Sequence, residues 1–458
     1  MTLVPATVGA PLPRPSSGAR VVPPPKPYSL FPTQKTNGYV KFVYVMWFIL
    51  LCDPQWLVAH YTTYALLKIP TPFFALLLLS LFIKPPRTWL PSFVAFFLYT
   101  IATMAWAINR GFALGVVKQL LGFYVVTVAA LSISRKPWQV IPIIAGAMMY
   151  SYIWWVVLGV RSGQVAWHPS LANYDGYGPL MSIGIGSCYY FALATKSKKE
   201  KRLGYAAAVG CLVGLISSFA RGAVVAGVFV MFWMWVRSRQ KLKATLAGIV
   251  ALIAFVAFGI FFSGADRGSD SNPNFFTEMM SSTNPNDATR GDREVLWALA
   301  RREFMDRPVL GVGANNFGPY AAQRFQIGDT GGGYDENPMR LYDRQLHSTF
   351  YQVLCEYGIV GSAIWLWMLG DFFWRNAKLR TKRFGKTFEE RTGGRLVLFQ
   401  LSLGLECALI AFLTSGIFYN QIFSVHWFYT IIGINSLLFY LAKPGSKQPA
   451  GAVPVPAR

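Results

Sequence analysis

The sequence predicts an all-α, polytopic membrane protein. It should have about twelve transmembrane helices and one long, partly helical outside loop between helices nine and ten. Three observations carry this expectation. Of the 458 residues, 53% are hydrophobic and only 14% charged, where a soluble domain carries about a quarter charged. Apolar runs of bilayer-crossing length recur along the chain. Lysine and arginine concentrate on alternate connections between those runs.

A helix needs roughly 20 mainly apolar residues to cross the hydrocarbon core. Such runs lie near 40–58, 66–83, 89–108, 112–133, 138–160, 177–195, 203–219, 222–236, 244–262, 350–374, 396–416 and 424–443. The first carries Asp53-Pro54 and the eighth is short. In lipid every backbone polar group must be satisfied internally, so runs of this length fold as helices. Ahead of them, residues 1–39 are polar and Pro-rich. They lack the basic-then-apolar order of a cleavable signal and are predicted to form a disordered cytoplasmic tail. The organisation is then helices one to nine over 40–263, a loop over 264–349, helices ten to twelve over 350–443, and a second cytoplasmic tail over 444–458.

Basic residues set the orientation. With the N-terminus inside, the seven inside segments hold 29 of the 43 lysines and arginines. The short outside connections hold one each: Arg110, Arg161 and Arg221. The net charge of +23 is therefore mostly a topology signal, and a nucleic-acid partner is not expected. Cys52, Cys188, Cys211, Cys355 and Cys407 lie in or beside apolar runs without metal-ligand spacing, and read as small buried hydrophobes.

The loop over 264–349 opens with a Gly/Ser/Asn/Pro/Asp-rich run to Asp292. An amphipathic segment follows over 293–306, with Val295, Leu296, Leu299 and Phe304 at near-helical spacing. Pro308 ends it, and the turn Gly311-Val-Gly-Ala-Asn-Asn-Phe317 comes next. The loop carries nine arginines, no lysine and twelve acidic residues, a net charge of about −3. Arginine grips phosphate in a planar, bidentate way that lysine does not. The alternative for any one of these arginines is pairing with the loop's own carboxylates.

Some residues stand out as candidates for chemistry. His60, His168, His347 and His426 fall at or near the external ends of spans, and imidazole accepts a proton near neutral pH. His347 stands where the chain re-enters the membrane; a histidine there is otherwise an interfacial or capping residue. Arg110, Arg161 and Arg221 are on the side where basic residues are scarce. Arg221 sits between two apolar runs, where an ionisable group is costly and is a functional candidate; its alternative is snorkelling to the headgroups. The sequence has no Gly-x-x-x-x-Gly-Lys-Ser/Thr phosphate loop and no Gly-x-Ser-x-Gly elbow. Asp329 and Asp335-Glu336 flank a glycine run but lack a defined ligand spacing for a divalent cation.

Three pieces in order resemble the O-antigen ligase/polymerase superfamily of bacterial membrane glycosyltransferases. Arg221-Gly222-Ala223 looks like its Ser-Arg-Gly-Ala element, with Ala220 in place of the serine. Arg293-Glu-Val-Leu-Trp297, Pro308-Val-Leu-Gly-Val-Gly313 and Asn316-Phe317 look like its Arg-x-x-x-Trp stretch and Gly-rich turn. His347 with Leu354-Cys-Glu356-Tyr-Gly358-Ile-Val-Gly361 is similar to its His…Glu-x-Gly-x-x-Gly signature, with Ser348 where asparagine is common. The match covers roughly residues 205–375; the N-terminal half matches in hydropathy alone.

The resemblance implies transfer of a glycan from a polyprenyl (undecaprenyl) diphosphate carrier to an acceptor hydroxyl such as lipid A–core, at the outer face of the bacterial inner membrane. It implies inversion at the sugar, and neither cofactor nor metal. In these terms His347 is the general base, Arg221 and Arg293 are the catalytic diphosphate clamps, and Arg290, Arg161, Arg110 and His168 are substrate-binding candidates. A polymerase joining carrier-linked repeats shares these motifs. A secondary transporter is a further alternative, with Lys68, Lys118 and Glu406 as the nearest intramembrane charges, and so is a carrier flippase that makes no bond.

Overall fold

The computed structural model describes residues 90–133, 144–153, 174–218, 220–261, 288–325, 337–420 and 427–445, with Phe48 and Leu51. The described residues are helical, and their one β-type pairing is an isolated bridge, Thr195 to Leu396. The expected runs near 40–58 and 66–83 and both tails lie almost wholly outside the described residues, as does Cys52.

Among the described residues from 90 onward, seven helices precede the long loop: α1 Pro91–Thr103, α2 Arg110–Ile133, α3 Ile144–Ile153, α4 Tyr174–Ala194, α5 Lys198–Ser217, α6 Arg221–Arg237 and α7 Lys241–Phe261. The loop contributes α8 Ala288–Asp306, α9 Phe317–Arg324 and a 3₁₀ turn at Pro338–Leu341. Then come α10 Thr349–Leu379, α11 Lys382–Thr392, α12 Leu398–Ser415 and α13 Trp427–Ala442. By length and composition α10 and α12 are long and apolar enough to cross a membrane, while α1, α3 and α13 are shorter apolar helices. Helix α1 stops at Thr103 and gives way to turns, short of the expected 108. An extra amphipathic helix, α11, fills the basic segment between α10 and α12.

Helix α4 packs against α5, α6 and α12, and α10 packs against α1, α13 and α8. Small residues permit the first group. A Cβ on Gly184 would fall 2.3 Å from Cys211 Sγ, and one on Gly186 2.4 Å from Cys407 Cβ. Close backbone approach of this kind is how helices associate when lipid removes the hydrophobic drive between them. The four described cysteines are all free and buried, as expected.

One end of this packing is held by charge. Glu406 of α12 is 5% exposed and binds Arg380 beyond α10 and Arg237 of α6, the latter at 2.7 Å. Trp233 Nε1 donates to the same carboxylate at 3.0 Å, and Arg237 lies over the Trp233 ring. Next to it, Asn376 of α10 donates to Ser402 O at 3.0 Å and accepts from Asn435 of α13. Glu406 is thus a three-helix clamp. Glu406→Ala leaves the two guanidiniums unpaired; breaking a buried pair costs about 3–5 kcal/mol. The low end is expected, because Arg237 is 38% exposed and screened by solvent. A fall in the melting temperature of the detergent-solubilised protein, smaller for Arg237→Ala than for Arg380→Ala, is the measurement.

Candidate active site

The loop builds a small core of its own on the first turns of α10. Leu296, Leu299 and Ala300 of α8 meet Phe317, Ala321 and Ala322 of α9, Leu341, Leu346 and Cys355, with Val295 and Phe304 at the edge. The four apolar residues of the amphipathic segment all belong to this core. The helix starts earlier than the segment, at Ala288, so Arg290 is also helical.

Beneath that core the Gly-rich turn and α10 interlock through their backbones. Val312 N–H donates to Cys355 O at 3.0 Å and Gly313 N–H to Glu356 O at 2.9 Å. In return Ile359 N–H donates to Pro308 O at 2.8 Å and Val360 N–H to Val309 O at 3.2 Å. Helix α10 frees these groups because it breaks at Gly358, where φ is 63°. Gly311 has φ 71°, and a Cβ on it would lie 2.4 Å from the Glu356 carbonyl; a Cβ on Gly358 would lie 2.5 Å from Val309 O. Both glycines are required by conformation and by space.

The Glu356 side chain seals the turn. Its carboxylate accepts the Asn315 N–H at 2.8 Å and also the Phe317 N–H, with Gln352 Nε2 at 3.4 Å. The turn then grips the α1–α2 connection. Trp106 Nε1 donates to Gly311 O, Ala314 N–H to Thr103 Oγ1, and Asn109 N–H to Asn316 Oδ1 at 2.6 Å. Asn316 Nδ2 donates back to Asn109 O, and Asn109 Nδ2 to Tyr342 OH. These partners, Thr103, Trp106, Asn109 and Tyr342, were not found in the sequence, because a single asparagine or threonine in an apolar chain carries no spacing signal.

Glu303 of α8 lies behind this junction, fully buried, with neither carboxyl oxygen hydrogen-bonded. Burial, then the charges of Glu356 and Asp306, hold its carboxyl well above the usual carboxylate range.

Bonds and contacts among neighbouring residues link the segments that carry the three catalytic candidates. Arg293 is half-buried on α8, one helical turn before Trp297. Trp297 Nε1 donates to Leu346 O at 3.0 Å, and its ring stacks on Tyr351 at 5.2 Å. His347 follows Leu346; it is half-buried with φ 48°, in the left-handed region. Ser348 N–H donates to Asn420 Oδ1 at 2.9 Å, and Thr349 Oγ1 to Tyr419 O at 2.8 Å. The same 416–420 turn meets the Arg221 end of α6, since a Cβ on Gly222 would lie 2.6 Å from Phe418 Cβ. Arg221 opens α6 and is half-buried.

The remaining candidates separate. Arg110 opens α2 and is exposed, while its neighbour Asn109 makes the bonds. Arg161, His168, His60, His426, Asp329 and Asp335-Glu336 lie outside the described residues, and of Arg290 only its helical backbone is described. Among the described residues no group of histidine, cysteine and acidic side chains could hold a metal ion.

Residues 206–366 match the model of a family described as O-antigen ligase, a little over a third of the chain. The matched stretch runs from α5 into α10 and contains Arg221, Arg293, the Gly-rich turn, His347 and Glu356. This stretch is therefore similar to a family of membrane glycosyltransferase-type enzymes. The match supports membership of the O-antigen ligase superfamily. No curated protein matches the chain.

Two outcomes test the junction. Gly311→Ala and Gly358→Ala each put a side chain into a left-handed backbone, which costs about 1–3 kcal/mol, and meet backbone atoms besides. Each is expected to lower the melting temperature clearly, whereas Gly370→Ala, with open space around it, should not. Equal melting of all three variants would exclude the interlock. The second concerns pH. Because the folded Glu303 holds its proton where the unfolded chain ionises, above about 4.3, this group makes stability fall as pH rises from the carboxylate range. Glu303→Gln should therefore melt higher than the unsubstituted protein near neutral pH, with the gap closing toward acid.

Proposed function

We propose that the protein transfers a glycan from a polyprenyl diphosphate carrier to an acceptor hydroxyl, of the lipid A–core kind, at the outer face of the bacterial inner membrane. The observation that supports this reading is the linkage of the segments bearing the three motif residues: Trp297 to Leu346, Ser348 to Asn420, and the 416–420 turn against Gly222.

The chemistry suits these groups. Breaking the sugar–phosphate bond builds negative charge on a diphosphate leaving group. Guanidiniums fixed beside that charge in a partly dry cavity stabilise it more than they would in water. Arg221 and Arg293 take this role, with Arg290 near it on the same helix. The attacking hydroxyl gives its proton to His347, a transfer that contributes typically about 10²–10⁴-fold. The left-handed backbone of His347 supports this role, since such strain collects at functional sites and is held there by neighbours. Here the neighbours are the bonds at Leu346 and Ser348. The leaving diphosphate carries its charge without a proton, so no acid partner is demanded.

The transporter reading loses its best intramembrane charge, because Glu406 is neutralised by Arg237 and Arg380. In a reconstituted assay with carrier-linked glycan and acceptor, read by mass spectrometry, His347→Ala, Arg221→Ala and Arg293→Ala should each lose at least about a hundredfold in transfer. Membrane insertion and helix content should stay unchanged. Arg221→Lys and Arg293→Lys should recover part of the rate, keeping the charge without the bidentate fork. Unimpaired transfer in the three alanine variants would remove the mechanism. Product length separates transfer of a whole glycan to a lipid core from the joining of carrier-linked repeats.

A further inference from the structure

A cleft of about 440 Å³ opens on the far side of the Gly-rich turn, lined by Ile108, Asp306, Arg307, Tyr320, Gln323 and Arg324. Its polar groups converge. Arg324 Nε and Tyr320 OH both point to Asp306 Oδ2 at 3.4 Å, and Arg307 hydrogen-bonds Tyr320. Two guanidiniums thus line the cleft with one carboxylate, which Arg324 pairs, and this leaves the cleft a net positive charge. At 3.4 Å and with the Arg324 side chain 64% exposed, that pairing is weak and readily exchanged for a stronger anion.

The rim is apolar. Met305, Val309, Leu310 and Ile108 are 75%, 55%, 45% and 38% exposed. Val309 and Leu310 are fixed by their carbonyls: Val309 O accepts from Val360 N–H of α10 and Leu310 O from Tyr99 OH of α1. On those helices Ile359, Leu98 and Ile101 are also uncovered. A basic cleft with exposed apolar residues beside it, and with further uncovered apolar residues on α10 and α1, is the composition of a surface at the lipid–water boundary.

We propose that this cleft is a binding site for the phosphate-bearing headgroup of a membrane lipid. Arg307 and Arg324 hold the phosphate, Tyr320 and Gln323 hydrogen-bond the rest of the headgroup, and Val309, Leu310, Met305 and Ile108 meet the acyl chains. The inference rests on the outside-facing membrane placement of the loop described above, but not on catalysis at His347.

The test uses the purified full chain and dioctanoyl phosphatidic acid, with inorganic phosphate and dioctanoylglycerol as separate probes. Phosphatidic acid should bind. Arg307→Gln/Arg324→Gln should weaken it at least about tenfold, the loss expected for two charge-assisted contacts. Arg301→Gln/Arg302→Gln, which removes the same charge from the adjacent helix α8, should leave it within about twofold. Val309→Ser/Leu310→Ser should weaken the lipid and not phosphate. Unchanged binding in the cleft variant, or equal loss in the control, overturns the site; phosphate as tight as the lipid, or dioctanoylglycerol binding equally well, overturns the lipid headgroup. Labelling of Gln323→Cys in intact cells by an impermeant maleimide checks the outside placement by itself. Glycan transfer measured in parallel separates failure of the catalytic reading from failure of this one.

Discussion

The structure of the site depends on one exchange of backbone hydrogen bonds, between Pro308–Gly313 and Cys355–Val360. Helix α10 gives up its own ladder at Gly358 and offers the freed groups to the loop. In lipid an unsatisfied backbone amide costs several kcal/mol, and a broken helix is tolerated where other protein re-satisfies it. The Gly-rich turn is what re-satisfies it. Neither half makes sense alone: without the turn α10 would expose amides, and without the break the turn would have nothing to bind.

Glu356 extends that exchange from backbone to side chain. Its carboxylate takes the amides of Asn315 and Phe317, groups that a tight turn points in one direction. The fold thereby ties the loop to the α1–α2 connection by asparagine and threonine bonds. Glu303 shows the opposite solution. With no hydrogen-bond partner among the described residues, its carboxyl is held well above the usual carboxylate range by burial and then by the charges of Glu356 and Asp306. One buried acid is thus a ligand for amides, and the other a cost that the loop's apolar core outweighs.

Much of this was legible in the sequence, and the physical reason differs by element. Helix α8 was visible because Val295, Leu296, Leu299 and Phe304 repeat with helical period, and all four enter the loop core. The long apolar helices α10 and α12 were visible because lipid demands apolar length. The early end of α1 at Thr103 was not, since hydropathy continues through residues that the structure uses as turns to reach Asn109 and Asn316. At the site, Arg293, His347 and Arg221 were marked by residue type and motif order. What sets them in place was hidden: Trp297 by its indole N–H, Asn420 by an amide seventy-two positions from its partner. Such pairings exist only once the chain is folded.

The motif residues therefore divide into two kinds. Gly311, Gly358 and Glu356 are buried or sterically required, and their work is finished when the loop has docked. Arg221, Arg293 and His347 are half-buried, at the margins of that docked unit rather than inside it. A guanidinium in this position remains reachable, while the protein around it lowers the local dielectric. In the proposed reaction that is the setting in which a guanidinium would act on a developing diphosphate with most effect. The rigid interlock would then supply fixed geometry and the groups at its edge the proposed chemistry. Under that proposal, docking by the first kind is what would let residues of the second kind, on α6, on α8 and before α10, act as one site although no single helix carries them.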